Sequence, residues 1–162
     1  MREILFRGKR IDNGEWAEGF LLKGNRTYIV TRDAIDYMVV SLACMASMQL
    51  VEVDPKTVGQ FTGLTDMCGN KIFDGDILLS KVYEYAEEDI GFGMQRFRTG
   101  NKIDAVWSVE HKIYNAKCGY FVFGKDRRFH IPLTHSVIFN GECGVIGNIH
   151  DNPEMLMPPK GE

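Results

Sequence analysis

Short alternating runs of apolar and polar residues dominate the chain, and turn residues separate them. Glu3 to Ile11 reads as a strand, with Ile4 and Phe6 on one face alternating with Leu5 and Arg7. Asp12-Asn13-Gly14-Glu15 is a turn, and Asn-Gly is the signature of a type I′ hairpin. Trp16 to Leu22 returns as a second strand, Lys23 to Arg26 turns again, and Thr27 to Thr31 is a third. Antiparallel meander is the organisation this predicts. Arg32 to Val53 mixes signals, since Tyr37 to Val40 favours a strand and Leu42 to Ala46 tolerates a helix. Two strands are expected there, the second over Met48 to Val53, with a boundary near Pro55.

The remainder of the chain is organised around the stretch from Pro55 to Ile77. Val58 to Thr62 suits a short half-buried strand, and Thr65 to Asn70 is a turn. Asp66 at its start can accept from the backbone two residues on, and Gly69 or Asn70 tolerates positive φ. Lys71-Ile72-Phe73 is too short for a helix, and Asp74-Gly75-Asp76 is a second turn signal before Ile77 to Tyr85. Two turns around a very short strand bend a sheet sharply, as small barrels require. Ala86 to Lys102 reads as a mobile exposed loop. Strands follow at Ile103 to Val109, Cys118 to Phe123 and Glu142 to Ile149, with Asn140-Gly141-Glu142 as a turn. Asn152-Pro153 opens a single helical turn, and the tail 158–162 is loose. The division this predicts is a β-rich region over 1–54, then a barrel domain over 55–157 with a mobile insertion near 86–102. The class is mainly β with little helix.

Three segments carry a family resemblance. Thr62 to Ile77, TGLTDMCGNKIFDGDI, resembles the core motif of the YopX-like proteins of phages and prophages. Arg2 to Arg10, REILFRGKR, resembles the family's opening. Val145 to Leu156, VIGNIHDNPEML, resembles its ending, with His150 where tyrosine is usual. The segments at 31–50 and 81–102 carry little of the likeness. The resemblance implies an SH3-like barrel and a phage or prophage setting in a bacterial cytoplasm. It implies no reaction.

Composition changes this picture little. The 162 residues are 44% hydrophobic and 25% charged with a net charge of −3, which suits a globular chain and gives no global pull toward nucleic acid or anionic membrane. The longest apolar run, Tyr37 to Val51, is too short and too polar to span a bilayer. Cys44, Cys68, Cys118 and Cys143 form no C-x-x-C, so reduced thiols in a cytosolic protein are expected.

Candidate chemistry is sparse. His130 and His135 with Cys118 and Cys143 would supply a Cys2His2 zinc set, but their spacing fits no zinc template and scattered structural residues explain them better. Turn chemistry explains Asp66, Asp74 and Asp76 better than metal or acid–base work does. Gly91-Phe92-Gly93 lacks the third glycine and following helix of a phosphate loop. Cys118 and Cys143 sit in apolar contexts that suit inert thiols. No pattern points to a catalytic group, a cofactor or a metal.

Two surface features remain. Arg96 and Arg98, with Lys125, Arg127 and Arg128, form basic clusters interleaved with aromatic residues, and such clusters can hold nucleic acid. A charged strand face and a solvated turn are the simpler explanation. Phe92, Met94 and Phe97 lie in an otherwise polar segment, and exposed apolar groups there require a cover. The cover is either the chain's own barrel or a partner. The expectation is therefore a non-enzymatic accessory protein acting through protein contacts, as a homo-oligomer or with a host or phage protein. The alternative is a nucleic-acid-binding module. No membrane contact is expected.

Overall fold

The computed structural model describes residues 3–31, 50–89, 91–114, 117–124 and 130–157. The strand expected at Tyr37 to Val40, Cys44 and the tail 158–162 lie outside them. The chain forms two compact units, one of residues 1–64 with 71–74 and the other of 65–70 with 75–162. The two units interleave between Leu64 and Gly75.

The first unit holds a six-stranded antiparallel sheet. Its strands are β1 (Phe6–Lys9), β2 (Trp16–Lys23), β3 (Thr27–Thr31), β4 (Leu50–Glu52), β5 (Gly59–Thr65) and β6 (Lys71–Phe73), in the spatial order β4-β3-β2-β1-β5-β6. Alternation sets one buried face. Ala17, Ile29, Val51 and Val53 form one cluster, and Leu5, Phe61 and Phe73 another. Burying each large side chain contributes about 1.5–3 kcal/mol. Arg7 is drawn in as well, its guanidinium 4.6 Å from the Trp16 ring and 4.7 Å from Phe73. The turn between β1 and β2 is not type I′. Gly14 has φ 73° but Asn13 is not left-handed, and Arg10 to Glu15 closes as a wider loop, with Gly14 N–H donating to Arg10 O at 3.1 Å.

The second unit holds a five-stranded antiparallel sheet. Its strands are β7 (Asp76–Asp89), β8 (Met94–Tyr114), β9 (Lys117–Gly124), β10 (His130–Pro132) and β11 (Gly144–Asn148), in the order β10-β9-β8-β7-β11. Ile77, Leu78, Val109, Phe121, Val122 and Ile138 are buried in it. A short helix, α1 (His135–Asn140), lies between β10 and β11, with the Thr134 hydroxyl accepting from Val137 N–H at its start. In the sequence this stretch reads only as an approach to the final strand. The apolar run Val137-Ile138-Phe139 hides the helix, because only Ile138 of the three is buried.

Two expectations are corrected by the strand pairing. Neither sheet closes into a barrel among the described residues, so the SH3-like closure does not appear. The loop expected over Ala86 to Lys102 is mostly strand. Tyr85 to Asp89 pairs with Arg98 to Met94 as the far end of a β7–β8 hairpin. The two findings share a cause. β11 pairs with β7 only over Asp76–Leu79, and β9 pairs with β8 only over Trp107–Tyr114. Beyond those limits the hairpin has no third strand to close on among the described residues.

Candidate functional site

The far half of the β7–β8 hairpin is a two-stranded arm. Such ribbons are marginal alone and draw stability from cross-strand side chains. Register explains which ones meet. Tyr83 lies opposite Lys102, Tyr85 opposite Arg98 and Glu87 opposite Arg96. The Arg98 guanidinium sits 4.8 Å from the Tyr83 ring and 6.0 Å from Tyr85, and Arg96 sits 4.8 Å from Tyr85. Lys102 Nζ lies 5.7 Å from Tyr83. Arg98 Nε also donates to the Tyr85 hydroxyl at 3.1 Å, which strengthens its hold on its proton. Such cation–ring contacts are weak at an exposed site, where water screens the charge. Among the described residues neither Arg96 nor Arg98 pairs with a carboxylate.

Phe92 stands at the tip, fully exposed at 100%. Gly91 and Gly93 flank it with φ of 82° and 136°, backbone that a side chain would strain. Phe97 lies opposite Ala86 and is 43% exposed. Strand alternation puts it on the face away from Arg96 and Arg98. Met94 begins β8 opposite Asp89. The structure thus brings the candidate apolar residues and Arg96 and Arg98 onto one hairpin. Lys125, Arg127 and Arg128 lie outside the described residues.

A groove of about 770 Å³ opens beside the base of the arm. Leu78, Trp107, Val122, Val137 and Phe139 give it an apolar lining, and Tyr83, Tyr85, Arg98 and Lys102 reach it from the arm. Trp107 Nε1 donates to the buried Ser80 hydroxyl at 2.7 Å, which fixes the indole. At the lip Glu142 takes φ 50°, a left-handed backbone rare outside glycine, and accepts from Lys102 Nζ at 2.6 Å. That bond holds the Glu142 carboxyl below its usual range and raises the Lys102 ammonium. Tyr83 and Tyr85 are the residues that sequence reasoning missed. Their two-residue spacing was visible, but it acquires meaning only when Arg96 and Arg98 are registered opposite.

The other candidates resolve into structure. Burial pushes the Cys143 thiol up to about 11, so it is protonated near neutral pH. His130 stacks on Phe123 with ring centres 5.5 Å apart. Among the described residues no three His, Cys, Asp or Glu side chains gather as a metal site. Asp66 serves its turn, accepting from Cys68 N–H at 2.9 Å and Asn70 N–H at 2.8 Å. Asp76 departs from the turn reading. It is a fully buried strand residue that accepts from Asn148 Nδ2 at 3.3 Å. Among the described residues no helix is long and apolar enough to cross a membrane.

None of the curated proteins compared with the chain matches it. A comparison with known protein families matches residues 5–157 of the 162 to the family described as YopX protein. The central turn and the ending of the chain fall within that span, as does most of the opening, and the chain belongs to the YopX protein family.

Proposed function

We propose that this is a non-enzymatic accessory protein that acts through protein contacts made by the β7–β8 hairpin, as a homo-oligomer. Phe92 carries the reading. It stands wholly in solvent at the end of an arm that reaches beyond β9 and β11. Tyr83, Tyr85, Phe97 and Ile103 add partly exposed rings and alkyl groups along that arm. Clusters of this kind on a projecting element mark contact surfaces. The setting belongs to the same proposal: a phage- or prophage-encoded protein working in the cytoplasm of its bacterial host. Native mass spectrometry of the purified protein is expected to give an oligomer. Phe92→Ser is expected to shift it toward monomer with an unchanged far-ultraviolet circular dichroism spectrum. Turnover of nucleotides, nucleic acid or peptides by the pure protein would overturn the non-enzymatic reading.

The Arg–Tyr ladder favours a second reading, a single-stranded nucleic-acid contact in which bases stack on Tyr83 and Tyr85. Against it, guanidinium groups already cover those rings, and Glu84, Glu87, Glu88 and Asp89 share the hairpin. That reading requires oligonucleotide binding that weakens steeply with salt. Absence of binding at low salt removes it.

A further inference from the structure

We propose that the groove beside the hairpin base binds a small molecule with an apolar body and one carboxylate, and that Arg98 holds the carboxylate. The inference goes beyond the homo-oligomer reading and does not depend on it.

The groove has the size and the lining of a small-molecule site. Its volume of about 770 Å³ lies within the roughly 300–1,000 Å³ that such sites occupy. Every residue of its lining belongs to the second unit, so the site is complete within one compact body. Leu78 and Val122 line it as buried residues, and Val137 and Phe139 line it from α1. Phe139 is 69% exposed, so its ring has room to cover an apolar guest. Trp107 is held by the Ser80 hydroxyl and presents a fixed indole to the same space.

Charge selects the class of guest. Lys81, Arg98, Lys102 and Glu142 are the charged residues of the lining. Glu142, the one carboxylate among them, is bonded to Lys102, and Lys81 pairs with Asp104. Arg98 is left as the charged lining residue without an opposite charge among the described residues. Glu87 does not serve it, since Glu87 lies opposite Arg96 farther along the arm and is not part of the lining. Arg98 is also oriented. Its Nε donates to the Tyr85 hydroxyl at 3.1 Å, and its guanidinium sits 4.8 Å from the Tyr83 ring. The two terminal nitrogens are left without an acceptor among the described residues. Their parallel N–H groups match the two oxygens of a carboxylate. Burial of the apolar body supplies the bulk of the affinity, and the guanidinium supplies the preference for an acid over an alcohol or an amine.

The test is titration calorimetry of the full chain at neutral pH, with octanoate, octanol and octylamine as probes. Octanoate is expected to bind with a dissociation constant below about 1 mM, and roughly tenfold more tightly than octanol or octylamine. Arg98→Gln should weaken octanoate roughly tenfold and leave octanol unchanged. Phe139→Ser should weaken octanoate and octanol alike, by roughly fivefold. Both positions are exposed, and the circular dichroism spectrum serves as the check on folding. Absence of octanoate binding to the wild type would overturn the site. Equal binding of octanoate and octanol, or a preference for octanoate that survives Arg98→Gln, would overturn the carboxylate assignment. Octanoate binding that is indifferent to Phe139→Ser would overturn the groove as its location. None of these outcomes touches the homo-oligomer reading, which native mass spectrometry tests separately.

Discussion

Asp66→Ala is expected to destabilise the second unit by about 3–5 kcal/mol, because it leaves a set of donors without their shared acceptor. One oxygen of the Asp66 carboxylate accepts from Cys68 N–H and Asn70 N–H. The other accepts from Asn70 Nδ2 at 3.0 Å and from Val145 N–H at 3.0 Å. The side chain thus closes its own turn and ties that turn to β11. Asp66→Asn keeps one oxygen acceptor and should lose about half as much. Burial alone would raise the Asp66 pKa, but these donors outweigh it and hold the carboxyl below its ordinary range. A carboxyl with a depressed folded-state pKa stabilises above its unfolded value, about 3.9, and loses that contribution as pH falls through the folded value. Urea midpoints of the wild type should therefore fall on acidification below about pH 4, and those of Asp66→Asn should fall less steeply. Equal slopes for the two proteins would contradict the assigned role.

Gly19→Ala is expected to destabilise the first unit by about 3 kcal/mol or more, lowering its thermal midpoint by roughly 10 °C or more. Gly19 is in β2, paired with Phe6 of β1 on one side and Thr31 of β3 on the other. A Cβ built there would meet Val30 O at 1.9 Å and the Ile29 side chain at 3.0 Å. The nearest obstacle is backbone of a paired strand, which can yield only if ladder hydrogen bonds lengthen or break. Gly24→Ala is the control. Its nearest neighbour is 3.9 Å away and its φ is not left-handed, so scanning calorimetry should find it close to neutral. A Gly19→Ala midpoint within a degree or two of Gly24→Ala would show that the strands separate more freely than this packing allows.

These residues mark how far the chain could be read without its structure. The Asp66 turn was legible, since an aspartate followed by Gly69 states its own local bonds, and Gly69 takes φ 86° as expected. The bond from Val145 N–H, 79 positions away, was not, because no local pattern encodes which strand end meets a turn. Gly19 looked like an ordinary glycine in a strand, and its intolerance of a Cβ arises from Val30 on the neighbouring strand. Ala86 to Lys102 was misread because its charges and glycines resemble a loop. A two-stranded arm exposes both faces, so the period-two signal of a half-buried strand vanishes.

The class, the family likeness, most of the short strands and the turns between them were all present in the order of residues. Those depend on alternation, on residues that tolerate left-handed backbone and on motifs met in succession. The packed strands were needed to establish that the second sheet does not close among the described residues and that Thr134 caps the helix His135–Asn140. They were also needed to set Tyr83 and Tyr85 against Arg96 and Arg98 beside a groove. Strand register causes the difference. A shift of one residue turns every side chain to the opposite face, and register is set by partners distant in the chain.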